Sequence, residues 1–242
     1  MTASAPPPHV VDDLAPTGVL RASINLDNPV LAHGTPDEPG GVTVDIARAV
    51  GERLGVTVQL LCFDAARKSF EAMTTGAADM CFLAIEPARE AEVAFTEPYA
   101  LIEGVYVVPE ESPLRSAADV DRAGVRVGVK TGSAYDLYLS RTVENATLVR
   151  GDEGVEVFLA EGLEAGAGIR EPATAFAEEH GGLRVLDGAF MQIKQAVGTT
   201  RSRSAETIGF LRDLVEELKV SGFVADSLER SGQNRGVAAP PA

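Results

Sequence analysis

Three short segments carry groups suited to holding a small anion. The first is IEPAREAEVAFTEPY (85–99), where Arg89 follows the apolar run MCFLAI (80–85). A guanidinium stays charged and grips a carboxylate through two parallel hydrogen bonds. The same spacing allows an ion pair with Glu86, Glu90 or Glu92. The second is KTGSAYD (130–136), between a strand pattern and a helix pattern. Thr131, Gly132 and Ser133 bring backbone N–H groups and a hydroxyl to a helix start, which is a ready anion site. Ser133 reads equally well as an ordinary N-cap. The third is NLDNP (25–29), where Asn25 and Asn28 are either ligand contacts or turn residues before Pro29.

Other chemistry is poorly represented. GxSxG, GxxxxGK[ST], GxGxxG and HExxH do not occur. His9, His33 and His180 are scattered, and the two cysteines, Cys62 and Cys81, lie in apolar strand-like runs without ligand spacing. Buried free thiols are expected, with no metal and no cofactor.

These groups must be positioned by a chain of 242 residues, enough for one large or two small domains. Its hydrophobic content of 45% supports a packed core, and its net charge of −15 opposes nucleic-acid or membrane-surface binding. No stretch approaches 18 apolar residues, so no membrane insertion is expected. Residues 1–17 are Pro-rich, lack the basic and apolar regions of a secretory signal, and read as a flexible arm.

From residue 20 strand and helix patterns alternate. LRASIN (20–25), VTVQLLCF (56–63), DMCFLA (79–84), GVYVVP (104–109), VRVGVK (125–130) and MQIKQAVGT (191–199) read as strands. VTVDIARAVGERLG (42–55) reads as a helix, with Ile46, Val50 and Leu54 on one face and Gly55 as a left-handed stop. Helices are also expected at 65–76, 116–124 (Ser116 as N-cap) and 133–143. The chain closes on a single helix over 205–222. This alternation predicts an α/β fold with parallel sheets covered by helices, most economically as two lobes.

The order of these motifs resembles the extracellular solute-binding proteins that serve amino-acid ABC importers, over about residues 18–232. Ala84-Ile85-Glu86-Pro87-Ala88-Arg89 followed by Phe95-Thr96-Glu97-Pro98-Tyr99 matches that family's S-I-T-P-E-R and F-S/T-D/E-P-Y pattern. The G-x-x-x-D-x-A helix, the K-x-G-S/T turn and the closing ELKVSGF match individually weakly but in order. The resemblance implies two doubly wound α/β lobes joined by two hinge strands with a ligand cleft between them. It divides the chain into 18–103 plus 197–242 and 104–196. It also implies a ligand carboxylate held by Arg89 and by the amides around Ser133, with Leu83 and Ala84 at the strand end.

Two departures bear on the ligand. The family serine is Ala84 here, so one hydroxyl is lost. The family aspartate that pairs with a ligand ammonium falls on Ile169, with Arg170 beside it and Glu171 after. Arg170 turned to the ligand favours a second acid group; Glu171 after a one-residue slip restores the aspartate. The ligand is therefore expected to be an amino acid, a dicarboxylate or a keto or hydroxy acid. The resemblance further implies a monomer, a permease partner and a periplasmic or extracellular location; without a signal, a cytoplasmic one stays open. The alternatives are an enzyme resembling cyclohexadienyl dehydratase, with Glu171 or Asp64 as its acid, and a ligand-sensing module.

Overall fold

The computed structural model describes residues 5–242. The chain forms two compact units, Met1–Leu101 with Lys194–Ala242 and Ile102–Ile193. The expected boundaries at 103/104 and 196/197 thus fall two and three residues later than the crossings at 101/102 and 193/194.

The first unit contains α1 (Pro8–Leu14), β1 (Val19–Asn25), a small hairpin of β2 (His33–Gly34) and β3 (Pro39–Gly40), and α2 (Val42–Leu54). It continues through β4 (Thr57–Phe63), α3 (Ala66–Thr74), β5 (Met80–Ala84), α4 (Pro87–Glu90) and the first part of β6 (Val93–Pro109). Its sheet has β1 between β4 and β5, both parallel to it, with Ala22 opposite Met80 and Val58 opposite Leu20. Later in the chain β11 (Met191–Thr200) adds antiparallel to β5, pairing Gln195 with Ala84. β5 is therefore an interior strand, which explains why MCFLA is buried at every position instead of alternating. α3 places Ala72 and Met73 against Cys81, Leu83, Val93, Phe95 and Ala196.

α2 buries Ile46, Val50 and Leu54 as its periodicity predicts, and Gly55 closes it at φ 70°. The expected single closing helix is two: α8 (Ala205–Val220) and α9 (Phe223–Arg230), separated by Ser221 and Gly222. Asp45 of α2 accepts hydrogen bonds from Ser227 Oγ (2.6 Å) and Arg230 Nη2 (3.0 Å), which ties α9 back to α2.

The flexible arm expected over residues 1–17 is a helix from Pro8 onward. Residues 1–4 lie outside the described residues. Val10 and Leu14 of α1 are completely buried. Asp13 accepts from the Ser204 N–H (2.9 Å) and the Thr207 hydroxyl (2.6 Å) at the start of α8. A seven-residue helix carries too little periodicity to be read locally; it is held by packing.

The second unit takes in the end of β6, then β7 (Arg126–Lys130), α5 (Ala134–Thr142), β8 (Thr147–Gly151) and α6 (Gly154–Ala160). β9 (Ala165–Ile169), α7 (Arg170–His180) and β10 (Leu183–Val185) complete it. β7 pairs in parallel with β8 and β9, and β6 pairs antiparallel with β9 and β10. Val105, Val107, Phe158, Leu163, Ala173 and Ala177 form its core under α6 and α7. The helix expected at 116–124 is a single 3-10 turn, Ala117–Asp119, with the predicted Ser116 cap in a full capping box.

Candidate functional site

In parallel α/β sheets, ligands gather beyond the carboxyl ends of the strands. In the first unit these ends are Asn25, Phe63 and Ala84. The chain leaves β5 at Ala84 and turns through Glu86 and Pro87 into α4, whose third residue is Arg89. Pro87 suits that first helical turn because its missing N–H is not needed there. Arg89 is only 3% exposed. Its Nη1 donates to the Ala84 carbonyl at 3.2 Å. Burial pushes the guanidinium down to about 10, and the charge of Glu86 opposes that shift. Of the three acids offered as ion-pair partners by the sequence, Glu86 is buried with Arg89, whereas Glu90 and Glu92 are exposed. Leu83 and Ala84 are buried strand residues in register with Ala196 and Gln195.

Asn25 serves the turn: its Oδ1 accepts from the Asp27 N–H at 3.3 Å. Asn28 differs. It is 6% exposed, and its buried Oδ1 accepts no hydrogen bond among the described residues. An unmet buried acceptor costs about 1–3 kcal/mol. Of the two asparagines, then, Asn28 is the one with an acceptor to offer.

In the second unit β7 ends at Lys130 and the chain turns into α5. The three amides of the expected anion site are all engaged. Thr131 N–H donates to the Gly151 carbonyl (3.0 Å), Gly132 N–H to Asp136 Oδ2 (2.8 Å) and Ser133 N–H to the Lys130 carbonyl (3.1 Å). Ser133 Oγ accepts from the Asp136 N–H at 3.0 Å, so the N-cap reading holds. Asp136 is itself buried and takes Arg150 as a partner (3.0 Å). It was missed from sequence, although Ser-x-x-Asp at a helix start is the signal that marks it.

Arg170 stands at the first position of α7, directly after β9. It pairs with Glu103 and donates through Nη2 to the Gly188 carbonyl (2.6 Å). Gly104 is opposite Ile169 in the β6–β9 ladder, which brings Glu103 beside Arg170. Glu171 is exposed. Glu103 carried no motif, and its pairing with Arg170 depends on the register of two strands more than 60 residues apart.

The cysteines differ from each other. Cys81 is fully buried and burial raises its thiol to about 12, whereas Cys62, on the edge strand β4, is half-buried. Both are free. Among the described residues no helix is long and apolar enough to cross a membrane.

The strand order, the two chain crossings and the buried cation beyond β5 define the type II periplasmic-binding-protein fold. The chain belongs to the bacterial extracellular solute-binding proteins, family 3, whose sequence profile matches residues 20–232. A mutant of ArgBP from T. maritima is similar at 22% identity, covering 92% of this chain and 99% of that one, with a TM-score of 0.74. AbpA from Streptococcus pneumoniae, an amino acid ABC transporter substrate-binding protein bound to L-arginine, is similar at 19% identity, with 93% and 99% covered and a TM-score of 0.74. An ancestral amino acid-binding protein described as a precursor of cyclohexadienyl dehydratase is 19% identical, with 91% and 98% covered and a TM-score of 0.72. Comparison with curated proteins gives no match.

Proposed function

We propose that this chain binds an amino acid, or a close relative bearing one carboxylate, and hands it to an ABC transporter permease as a monomer in the periplasm or extracellular space. Arg89 carries the reading: a buried guanidinium is held just beyond the carboxyl end of an interior strand. A cation so far from water is best stabilised by an anion, and a carboxylate matches its geometry. Asn28 Oδ1 supplies an acceptor for a ligand N–H. Leu83 and Ala84 are the further contacts of the first unit in this reading, and Asn25 shapes the turn that carries Asn28; the amides of Thr131, Gly132 and Ser133 are engaged within the second unit and are not counted among the contacts. Family membership and the amino-acid-binding proteins similar in fold support it.

Arg170 weighs against a dicarboxylate ligand, because its guanidinium is already engaged by Glu103 and the Gly188 carbonyl. The enzyme reading is disfavoured on similar grounds. A general acid needs a raised pKa near the working pH, whereas the hydrogen bond from Lys68 lowers that of Asp64. Glu171 sits exposed on the first turn of α7.

The test is calorimetric titration and thermal shift with the standard L-amino acids, dicarboxylates and their 2-hydroxy counterparts. A ligand at 100 times its Kd stabilises the protein by about 2.7 kcal/mol. A hit abolished in Arg89→Gln, with the circular dichroism spectrum unchanged, is the expected result. Unchanged affinity in that variant would remove Arg89 from the site, and turnover of prephenate or arogenate would revive the enzyme reading.

A further inference from the structure

The first unit holds a cavity of about 420 Å3, which Arg89 does not line. It lies where the start of β6 meets the end of β11 and the first turns of α8. Val93 and Phe95 of β6 and Ile208 of α8 give it apolar walls. Ala205, Ile208 and Arg212 recur at helical spacing, so one stripe of α8 faces it.

Two arginines, Arg201 and Arg212, line this cavity. Each is braced through Nε to a backbone carbonyl: Arg201 to Glu90 at 2.7 Å, Arg212 to Phe95 at 3.2 Å. Neither has a carboxylate partner among the described residues. Elsewhere in this chain of 36 acidic and 21 basic residues Arg21, Arg53, Arg126, Arg150, Arg170 and Arg203 are held in ion pairs, whereas these two keep their charge available. A guanidinium fixed at Nε keeps its Nη groups for an acceptor and has already lost much of its side-chain entropy.

We infer that this cavity is a second binding site, for a small monocarboxylate with an apolar body. The volume suits a small ligand. The two arginines supply the carboxylate donors, and Val93, Phe95 and Ile208 cover the apolar part. Glu90 and Glu97 also line the cavity. Their charges repel a multiply charged anion such as phosphate more strongly than a monocarboxylate. The inference is independent of the Arg89 reading.

Benzoate is the probe, with inorganic phosphate as the counter-probe, titrated into the full chain by calorimetry and thermal shift. Benzoate is expected to bind saturably to the unaltered protein and to Arg89→Gln. Its affinity should fall by about tenfold or more in the double variant Arg201→Gln, Arg212→Gln, the loss of a charge-assisted contact. Ile208→Glu, which puts a carboxylate in the cavity wall, should abolish binding. Arg201 and Arg212 are exposed and Ile208 is half-buried, and the melting temperatures of both variants without benzoate report folding. Absence of saturable benzoate binding, equal affinity in the double variant, or stronger response to phosphate than to benzoate would each overturn the inference. So would loss of binding in Arg89→Gln alone.

Discussion

Asp136 reaches back across the start of its own helix to Gly132, accepting the Gly132 N–H at 2.8 Å, while its backbone N–H donates to Ser133 Oγ at 3.0 Å. The helix end that the sequence offered as an anion site therefore already holds an anion belonging to the protein. The macrodipole of α5 favours a negative charge there whoever provides it. Removing the carboxylate strips both the acceptor of the Gly132 N–H and the partner of Arg150. Asp136→Ala should lower stability by about 2–4 kcal/mol and Ser133→Ala by about 1 kcal/mol. Urea denaturation of the two variants measures the difference; equal losses would mean that the carboxylate contributes nothing beyond the hydroxyl cap.

The acid limb of stability should depend on Asp13 and Glu164. Burial raises the Asp13 pKa, but hydrogen bonds from Thr207 and Ser204 and the charge of Arg203 outweigh it and leave the group below its ordinary 3.8. Hydrogen bonding from Arg126 holds Glu164 below 4.5. A carboxylate with a depressed folded pKa contributes stability that is full above its unfolded value and is lost as pH falls through the folded one. The contribution is thus complete at about pH 6 and declines below about pH 4.5. Denaturant midpoints measured across that range should drop less steeply in Asp13→Asn than in the unaltered chain. Parallel slopes would show that the Asp13 cap is not retained in solution.

Gly154 opens α6 where the helix lies against the sheet. A Cβ added there would stand 2.3 Å from the Ala167 carbonyl oxygen and 3.1 Å from that of Gly128. Neither backbone group can yield without displacing a strand. Gly154→Ala should cost about 1–3 kcal/mol even though alanine is the better helix former. A neutral or stabilising result in thermal unfolding would mean that α6 sits farther from β7 and β9.

Leu14 tests the N-terminal helix. It is fully buried, so Leu14→Ala should destabilise by about 2–5 kcal/mol. Were residues 8–15 a free arm, the change would be nearly silent in the same denaturation experiment.

Much of the architecture is written locally. The periodicity of 42–54 and its glycine stop, the unbroken apolar run of β5 and the alternation of strand and helix are short-range patterns, and each reports the burial its element finds. The motif around Arg89 is local in the same sense: the residue follows a buried strand by five positions, so its place at the strand's carboxyl end is fixed by the chain itself. α1 was not legible, because seven residues without intrinsic stability form a helix only when Val10 and Leu14 find a core and Asp13 finds the start of α8, about 190 residues away. The roles of Asn28, Arg170 and Glu103 were equally hidden. Whether an amide keeps an unmet acceptor, or an arginine is free or already held, depends on which distant groups the register of the sheets brings within hydrogen-bonding distance. Sequence set the elements and the charge carried at their ends; tertiary structure decided which of those charges the protein neutralises for itself, because pairing depends on distance in space and not along the chain.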